Sequence, residues 1–300
     1  MITIRPVGSD ADIDTFVEIR RRIHPASPLP REVVVEDQAK PGHLGLIAEL
    51  DGAPVGAGSA GRFGGAPDGE LAAVSIRVVE EARRRGVGIA LDRRCSQHAR
   101  ELGKTRLFTF VRGDDRDSLG YFGARGFEEL GRMQDVRLDL ATAVVERSTP
   151  AGIEIAVMGD EHERGMYEAA LEADADIPAS VPIQSGTFER WRERSLGIHA
   201  LRHLSFVALE EGRVVGYAIL GRHGDDMADH WMTGVARSAR GRGVALALKQ
   251  AQIAAAKEAG LKVLRTTNDL GNAPMRRVNE KLGYERKFEW VQLGGPLLDD

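Results

Sequence analysis

The feature that most restricts this chain is that it repeats itself. Residues 43–62, HLGLIAELDGAPVGAGSAGR, lie over residues 203–222, HLSFVALEEGRVVGYAILGR, with eight identities in twenty positions. A repeat at this spacing means that one structural unit has been used twice, so a fold assigned to one half must serve the other. Each copy reads as an aliphatic run, a turn carrying Gly52 or Gly212, and a second run opening with Val55-Gly56 or Val215-Gly216, the pattern of a β-hairpin. The offset is 160 here and 157 in the next matching block, so the second copy has lost three residues in the intervening loop. Upstream, strand-like openings at Ile4 and Ile155 lead into helical patterns over residues 10–24 and 160–174, with Asp10 and Asp160 as expected caps. Both helices run into a Pro-Ala-Ser loop, at residues 25–27 and 178–180. At about 150 residues per domain, the 300 residues divide into two homologous domains, 1–148 and 152–300, joined by the connector at residues 147–152.

Composition narrows the function classes. Lys plus Arg at 41 against Asp plus Glu at 45 gives a formal charge of −4, too acidic to favour a nucleic-acid partner. No apolar run approaches the roughly 20 residues that cross a bilayer, and the opening ITIRPV reads as a strand, so no membrane association and a cytoplasmic location are expected. Cys95 is the single cysteine, which excludes an internal disulfide. His199 and His203 have helical spacing but lack a third ligand, so no metal is expected.

The second duplicated block carries the chemistry. A strand ending at Val78-Val79 is followed by EEARRRGVGIAL and a helix to about Leu102, and a strand ending at Val235 by ARSARGRGVALAL and its helix, with a further strand after each. Strand, turn, helix and strand make a right-handed crossover with parallel strands. The turns share Arg83 with Arg240, Arg85 with Arg242, Gly86 with Gly243 and Val87 with Val244, then a small residue, Gly88 or Ala245. Small residues at a helix start let backbone amides approach an anion, which the helix dipole also favours. The spacing therefore predicts a pyrophosphate site. It fits neither a dinucleotide fingerprint, because Leu91 and Leu246 stand at the third small position, nor a P-loop, because Gly-Lys-Ser/Thr is absent.

These turns, with the endings YFGARGF at residues 121–127 and NEKLGY at 279–284, resemble the GNAT acyltransferase superfamily in its tandem form, as in mycothiol-synthase-like actinobacterial acetyltransferases. The resemblance implies an α/β fold of two tandem domains, each a mixed, mostly antiparallel sheet flanked by helices. In each, the fourth and fifth strands splay apart around acetyl-CoA. It assigns the cofactor to Val78, Arg83, Arg84, Arg85, Gly86, Val87 and Gly88 in the first copy. In the second, the corresponding residues are Val235, Arg240, Gly241, Arg242, Gly243, Val244 and Ala245, with Asn268 and Asn272 on the pantetheine arm. It further implies direct transfer of the acyl group from thioester to amine, without a covalent enzyme intermediate.

An aliphatic amine of pKa ~10.4 must be deprotonated before attack, about 4.6 kcal/mol at pH 7, so a base is sought. Asp229 lies eleven residues before Arg240, where carboxylate bases of relatives stand. Strand alternation puts Asp229, Trp231 and Thr233 on one face and His230 on the other, where it would serve as the base only if a bulge intervened. The first copy has Ala72 in place of Asp229, and Val111 and Asp115 in place of the asparagines, so chemistry is expected in the second domain. At the family's acid position stand Phe122 and Asn279, leaving Tyr284 and Tyr121 as candidate acids. Asp174 and Asp176, in the acceptor region 173–184, are candidates for attracting a cationic amine. The expected function is acetyl-CoA-dependent N-acetylation of a small-molecule amine, by a monomer or homodimer. The alternatives are a non-catalytic acyl-CoA sensor or scaffold and a protein-lysine acetyltransferase.

Overall fold

The computed structural model describes residues 1–24, 29–146, 148–181 and 183–299, so the Pro-Ala-Ser loop at residues 25–27 and Arg147 of the connector lie outside the described residues. The duplication is visible in the order of elements. The first copy runs β1 (Ile2–Pro6), α1 (Asp10–Ile23), α2 (Arg31–Ala39), β2 (Leu44–Leu50), β3 (Ala53–Arg62), β4 (Leu71–Val78), α3 (Val87–Glu101), β5 (Arg106–Arg112), α4 (Arg116–Gly123) and β6 (Glu128–Asp139). The second repeats it as β7 (Glu154–Val157), α5 (Glu163–Asp176), α6 (Phe188–Leu196), β8 (Phe206–Glu210), β9 (Arg213–Arg222), β10 (Met227–Val235), α7 (Val244–Glu258), β11 (Val263–Asp269), α8 (Ala273–Lys281) and β12 (Glu285–Pro296).

The hairpins are antiparallel, whereas β4 with β5 and β10 with β11 run parallel, as the mixed sheets of a tandem GNAT fold require. Duplicated small residues hold helix to sheet. A Cβ on Gly56 would stand 3.2 Å from Leu91 of α3, and one on Gly216 would stand 3.0 Å from Val244 of α7, so a larger residue would lift either helix. Helix α1 is capped by Ser9, whose side chain accepts from the Asp12 amide, and Asp10 falls inside the first turn. The helix expected from Asp160 begins as a 3-10 turn at residues 160–162, and α5 follows from Glu163.

The compact units do not follow the connector at 147–152, which falls inside the second of them. One unit comprises Met1–Leu130 with Val291–Asp300, the other Gly131–Trp290. Strand β6 lies antiparallel to β11, from Asp139 opposite Val263 to Met133 opposite Asp269. The end of β12 sits in the first unit, where Val291 and Leu293 share a core with Ala72, Val74, Leu107, Phe122 and Phe127. The Leu298 amide there donates to Ser96 and its carbonyl accepts from Arg100. Each large apolar side chain buried this way contributes about 1.5–3 kcal/mol. Deleting residues 291–300 is therefore expected to lower the melting temperature of the first unit by more than 10 °C; an unchanged calorimetric trace would show that the strand is dispensable.

Candidate active site

The site of the second unit is set by how far two strands stay together. β10 and β11 pair for three residues, Met227 to Asp229 against Val263 to Arg265, and then separate. Asp229 stands at the apex of the gap, on the last pair. β4 and β5 part in the same way after Ala73 and Phe108.

A β-bulge distinguishes the two gaps. Against β9 the register of β10 shifts between His230 and Met232, which leaves Trp231 as an inserted residue, while β4 keeps unbroken register against β3. Two expectations change as a result. Asp229 lies opposite Gly221 and Met232 opposite Ile219, two residues apart on one strand, so Met232 rather than Thr233 shares the Asp229 face. The first-copy residue opposite Gly61, and hence equivalent to Asp229, is Ala73 rather than Ala72, because the inserted residue displaces the alignment by one. The pair Asp229 and Arg265 is thus replaced by Ala73 and Phe108. Trp231 lies over Gly221, where an added Cβ would stand 1.7 Å from the indole.

On this face the Asp229 carboxylate takes two bonds from Arg265, at 2.8 and 2.7 Å, and lies 3.0 Å from Nδ1 of His223. Burial alone would raise its pKa, but the bond to His223 and the Arg265 guanidinium bring it below the ordinary carboxylate value. Asp229 is therefore an ionised, fixed carboxylate bound to an imidazole. His223 was not singled out in the sequence; the signal was its place across the β9–β10 hairpin from Asp229, six residues earlier.

The opposite face is a buried polar cluster. Burial holds the His230 ring well below its ordinary pKa. Neutral, it donates from Nδ1 to Gln252 Oε1 at 2.9 Å and accepts at Nε2 from the Tyr284 hydroxyl. Tyr284, a candidate acid, lies in the core with Leu220, Ala228, Ile253 and Leu264, its hydroxyl raised well above its ordinary pKa by burial. Lys249 Nζ lies 5.1 Å over the Tyr284 ring, and burial pushes it down to about 7. Because the unfolded lysine, near 10.5, holds its proton where the folded one has lost it, stability rises with pH between about 7 and 10.5. Lys249→Met is expected to stabilise the unit by about 1–3 kcal/mol at pH 7 and to flatten that rise, measured by urea unfolding at pH 7 and pH 9. Equal slopes in the two proteins would refute the assignment.

Tyr121, the first-copy candidate, is 3.4 Å from Asp92, with the Arg125 guanidinium stacked 3.5 Å over its ring. Burial raises its hydroxyl pKa. Asn279 donates to Asn268 Oδ1, and its own Oδ1 is buried without a partner among the described residues. Asn272 accepts from the Met275 amide and caps α8, as Asp115 caps α4, so both act as helix caps. Asp174 is buried against Ser185, and Asp176 binds Arg237 and Arg240 at 2.7 Å. Neither is open to a cationic acceptor.

The Gly turns have the same geometry in both units. Gly86 and Gly243 take φ of 86° and 87° and lead straight into α3 and α7, with neither a capping side chain nor an acidic residue in the first turn. Arg83 Nε donates to the Val78 carbonyl and Arg240 Nε to the Val235 carbonyl, so these shared arginines tie the turn to the strand end. Arg242 pairs with Glu210, Arg84 with Asp117 and Arg85 with Asp51. What the turns leave open is main chain: the N–H groups that begin each helix have no intrahelical acceptor. At Gly241, with φ of 75°, an added Cβ would meet nothing within 4 Å. Among the described residues, no group of three His, Cys, Asp or Glu is placed to hold a metal, and no helix is long and apolar enough to cross a membrane.

Comparison with known proteins agrees with this geometry. The model of the acetyltransferase (GNAT) family matches residues 13–127 and 166–284. The chain is 29% identical over 224 residues to a mycothiol acetyltransferase of Thermomonospora curvata, covering 74% of this chain and 73% of that protein. In fold it is similar to a GCN5-related N-acetyltransferase from Sphaerobacter thermophilus, with a TM-score of 0.81 and 19% identity over 99% of this chain and 96% of that one. It is also similar to a tandem GNAT protein from the clavulanic acid biosynthesis pathway, with a TM-score of 0.79 and 19% identity over the whole of both chains.

Proposed function

Since the chain belongs to the GNAT acetyltransferase family, we propose that it transfers the acyl group of acetyl-CoA to the amine of a small molecule, with the chemistry in the second unit. The observation that carries this reading is the gap between β10 and β11, which has an ionised carboxylate at its apex and open helix amides beyond the strand end. The thioester supplies an activated acyl group. The amides at residues 243–246 would hold the pyrophosphate, with Gly241 and Gly243 allowing the main chain to approach. The unpartnered Oδ1 of Asn279, beside Asn268, fits an amide N–H of the pantetheine arm.

Asp229 and His223 divide the handling of the amine proton. A carboxylate held below its ordinary range is a weak base, so Asp229 orients the His223 ring, held at Nδ1, and His223 takes the proton. Tyr284 and Tyr121 have engaged hydroxyls, which leaves the departing thiolate to be protonated by solvent. The first unit has the same turn but Ala73 and Phe108 at its apex, and so binds acyl-CoA without turnover.

Thiol release from acetyl-CoA, measured across a panel of small amines, tests this function. Release that depends on one class of amine is expected. Binding of acetyl-CoA without release for any amine would establish the sensor reading instead, and acetylated peptides seen by mass spectrometry would move the acceptor to protein lysines.

A further inference from the structure

The corresponding gap of the first unit has gathered cations beyond its apex, where the second has Met232 and Gly234. Ala73 lies opposite Phe108, so Ala73, Ser75 and Arg77 of β4 share a face with Phe108, Phe110 and Arg112 of β5. Arg20 of α1 reaches this face and donates to Ser75 Oγ at 3.3 Å. Through the β3 and β9 registers, Ser75 and Arg77 correspond to Met232 and Gly234, and Gly234 lies under the Tyr217 ring, where a Cβ would come within 2.5 Å. The shared fold therefore does not require these charges.

Nor are they neutralised from within. The Nε atoms of Arg20 and Arg77 are buried and have no acceptor among the described residues. Arg77 donates to the carbonyl of its own neighbour, Ile76, at 3.0 Å. The acidic groups whose charge reaches this pair are Asp37 and Asp115. Asp37 binds Lys40 at 2.8 Å, and Asp115 binds the amide and hydroxyl of Ser118 at 3.0 and 2.7 Å. Arg112 is paired with Asp114. Burial and Arg20 push Arg77 down to about 10, and burial with the guanidiniums of Arg77, Arg20 and Arg112 pushes His24, at the end of α1, down to about 4. Two adjacent guanidiniums this buried, with no carboxylate in contact among the described residues, are costly unless an anion completes them.

Beside them the face is aromatic. Phe63, Phe108 and Phe110 form a ladder with ring centroids 4.7 and 4.9 Å apart, and Phe110 is 37% exposed. A guanidinium fork matches the two oxygens of a carboxylate, and the adjoining rings match an apolar body.

We propose that the gap of the first unit is a binding site for a carboxylate, with Arg20 and Arg77 on the anionic head and Phe110, backed by the buried Phe108, along the apolar part. The carboxylate has two sources that share this chemistry: a free organic acid, or the far end of a dicarboxylic acyl group carried on coenzyme A between β4 and β5.

Calorimetric titration of the full chain with benzoate and with its neutral isostere benzamide tests the first source, and succinyl-CoA against acetyl-CoA the second. Benzoate favoured at least tenfold over benzamide, or succinyl-CoA favoured at least tenfold over acetyl-CoA, is expected, with the preference lost in Arg77→Gln and Arg20→Gln. Which pair shows it identifies the source. The proposal is overturned if neither pair shows a preference, or if folded Arg77→Gln keeps it. Should both variants fail to fold, the two comparisons on the unaltered chain still decide.

Discussion

Gly243→Glu is expected to abolish acetyl transfer, with thiol release falling by at least a thousandfold, while Gly86→Glu retains most of it. Gly243 has φ of 87°, a conformation that costs a side chain about 1–2 kcal/mol. The larger effect is electrostatic. The glutamate carboxylate would enter the amide cluster at the start of α7 and occupy the place of the pyrophosphate. Gly86 has the same φ and the same uncapped helix start, so backbone strain is common to both variants. A difference between them therefore reports the unit in which turnover occurs. Circular dichroism melts of the two should shift alike, and the reverse order of activities would move the chemistry to the first unit.

Asp229→Asn is expected to lower kcat by about 10²–10⁴ with little change in the KM for acetyl-CoA, the range over which positioned proton transfer contributes. Asparagine keeps the shape but removes the charge that faces Arg265 and His223. Stability should fall as well, by about 1–3 kcal/mol, because Arg265 would retain Asp135 alone, at 4.0 Å. The ion pair's contribution to the normal chain is present above the ordinary carboxylate pKa of 3.8 and is lost as pH falls through the lower folded value. His223→Gln separates the two roles. It leaves the bidentate pair intact, so its melt should be near normal while kcat falls comparably. A full-rate His223→Gln would assign proton transfer to the carboxylate alone.

The duplicated hairpin, the Gly turns and the family itself were legible in the sequence because each rests on local rules. Gly56 and Gly216 recur since a helix must approach the sheet there, and Gly86 and Gly243 recur since the turn requires positive φ. What was not legible depends on register. Nothing in MADHWMTGV marks Trp231 as an inserted residue, yet that insertion alone moves the equivalent of Asp229 from Ala72 to Ala73 and replaces Thr233 by Met232 on its face. Partners distant in sequence were equally hidden. Asp176 is a plausible amine attractor until Arg237 and Arg240 are seen to hold it, and Tyr284 a plausible acid until its hydroxyl is found on His230. The composition of the compact units was hidden for the same reason, since residues 291–296 continue a strand of the second copy while Val291 and Leu293 pack in the core of the first.

The most direct test is a crystal structure of the chain grown with acetyl-CoA. Density for the pyrophosphate within hydrogen-bond distance of the amides at residues 243–246, and for the thioester between β10 and β11 next to Asp229 and the Trp231 bulge, is the predicted result. Acetyl-CoA bound in the first unit alone, with β10 and β11 closed by side chains, would contradict it.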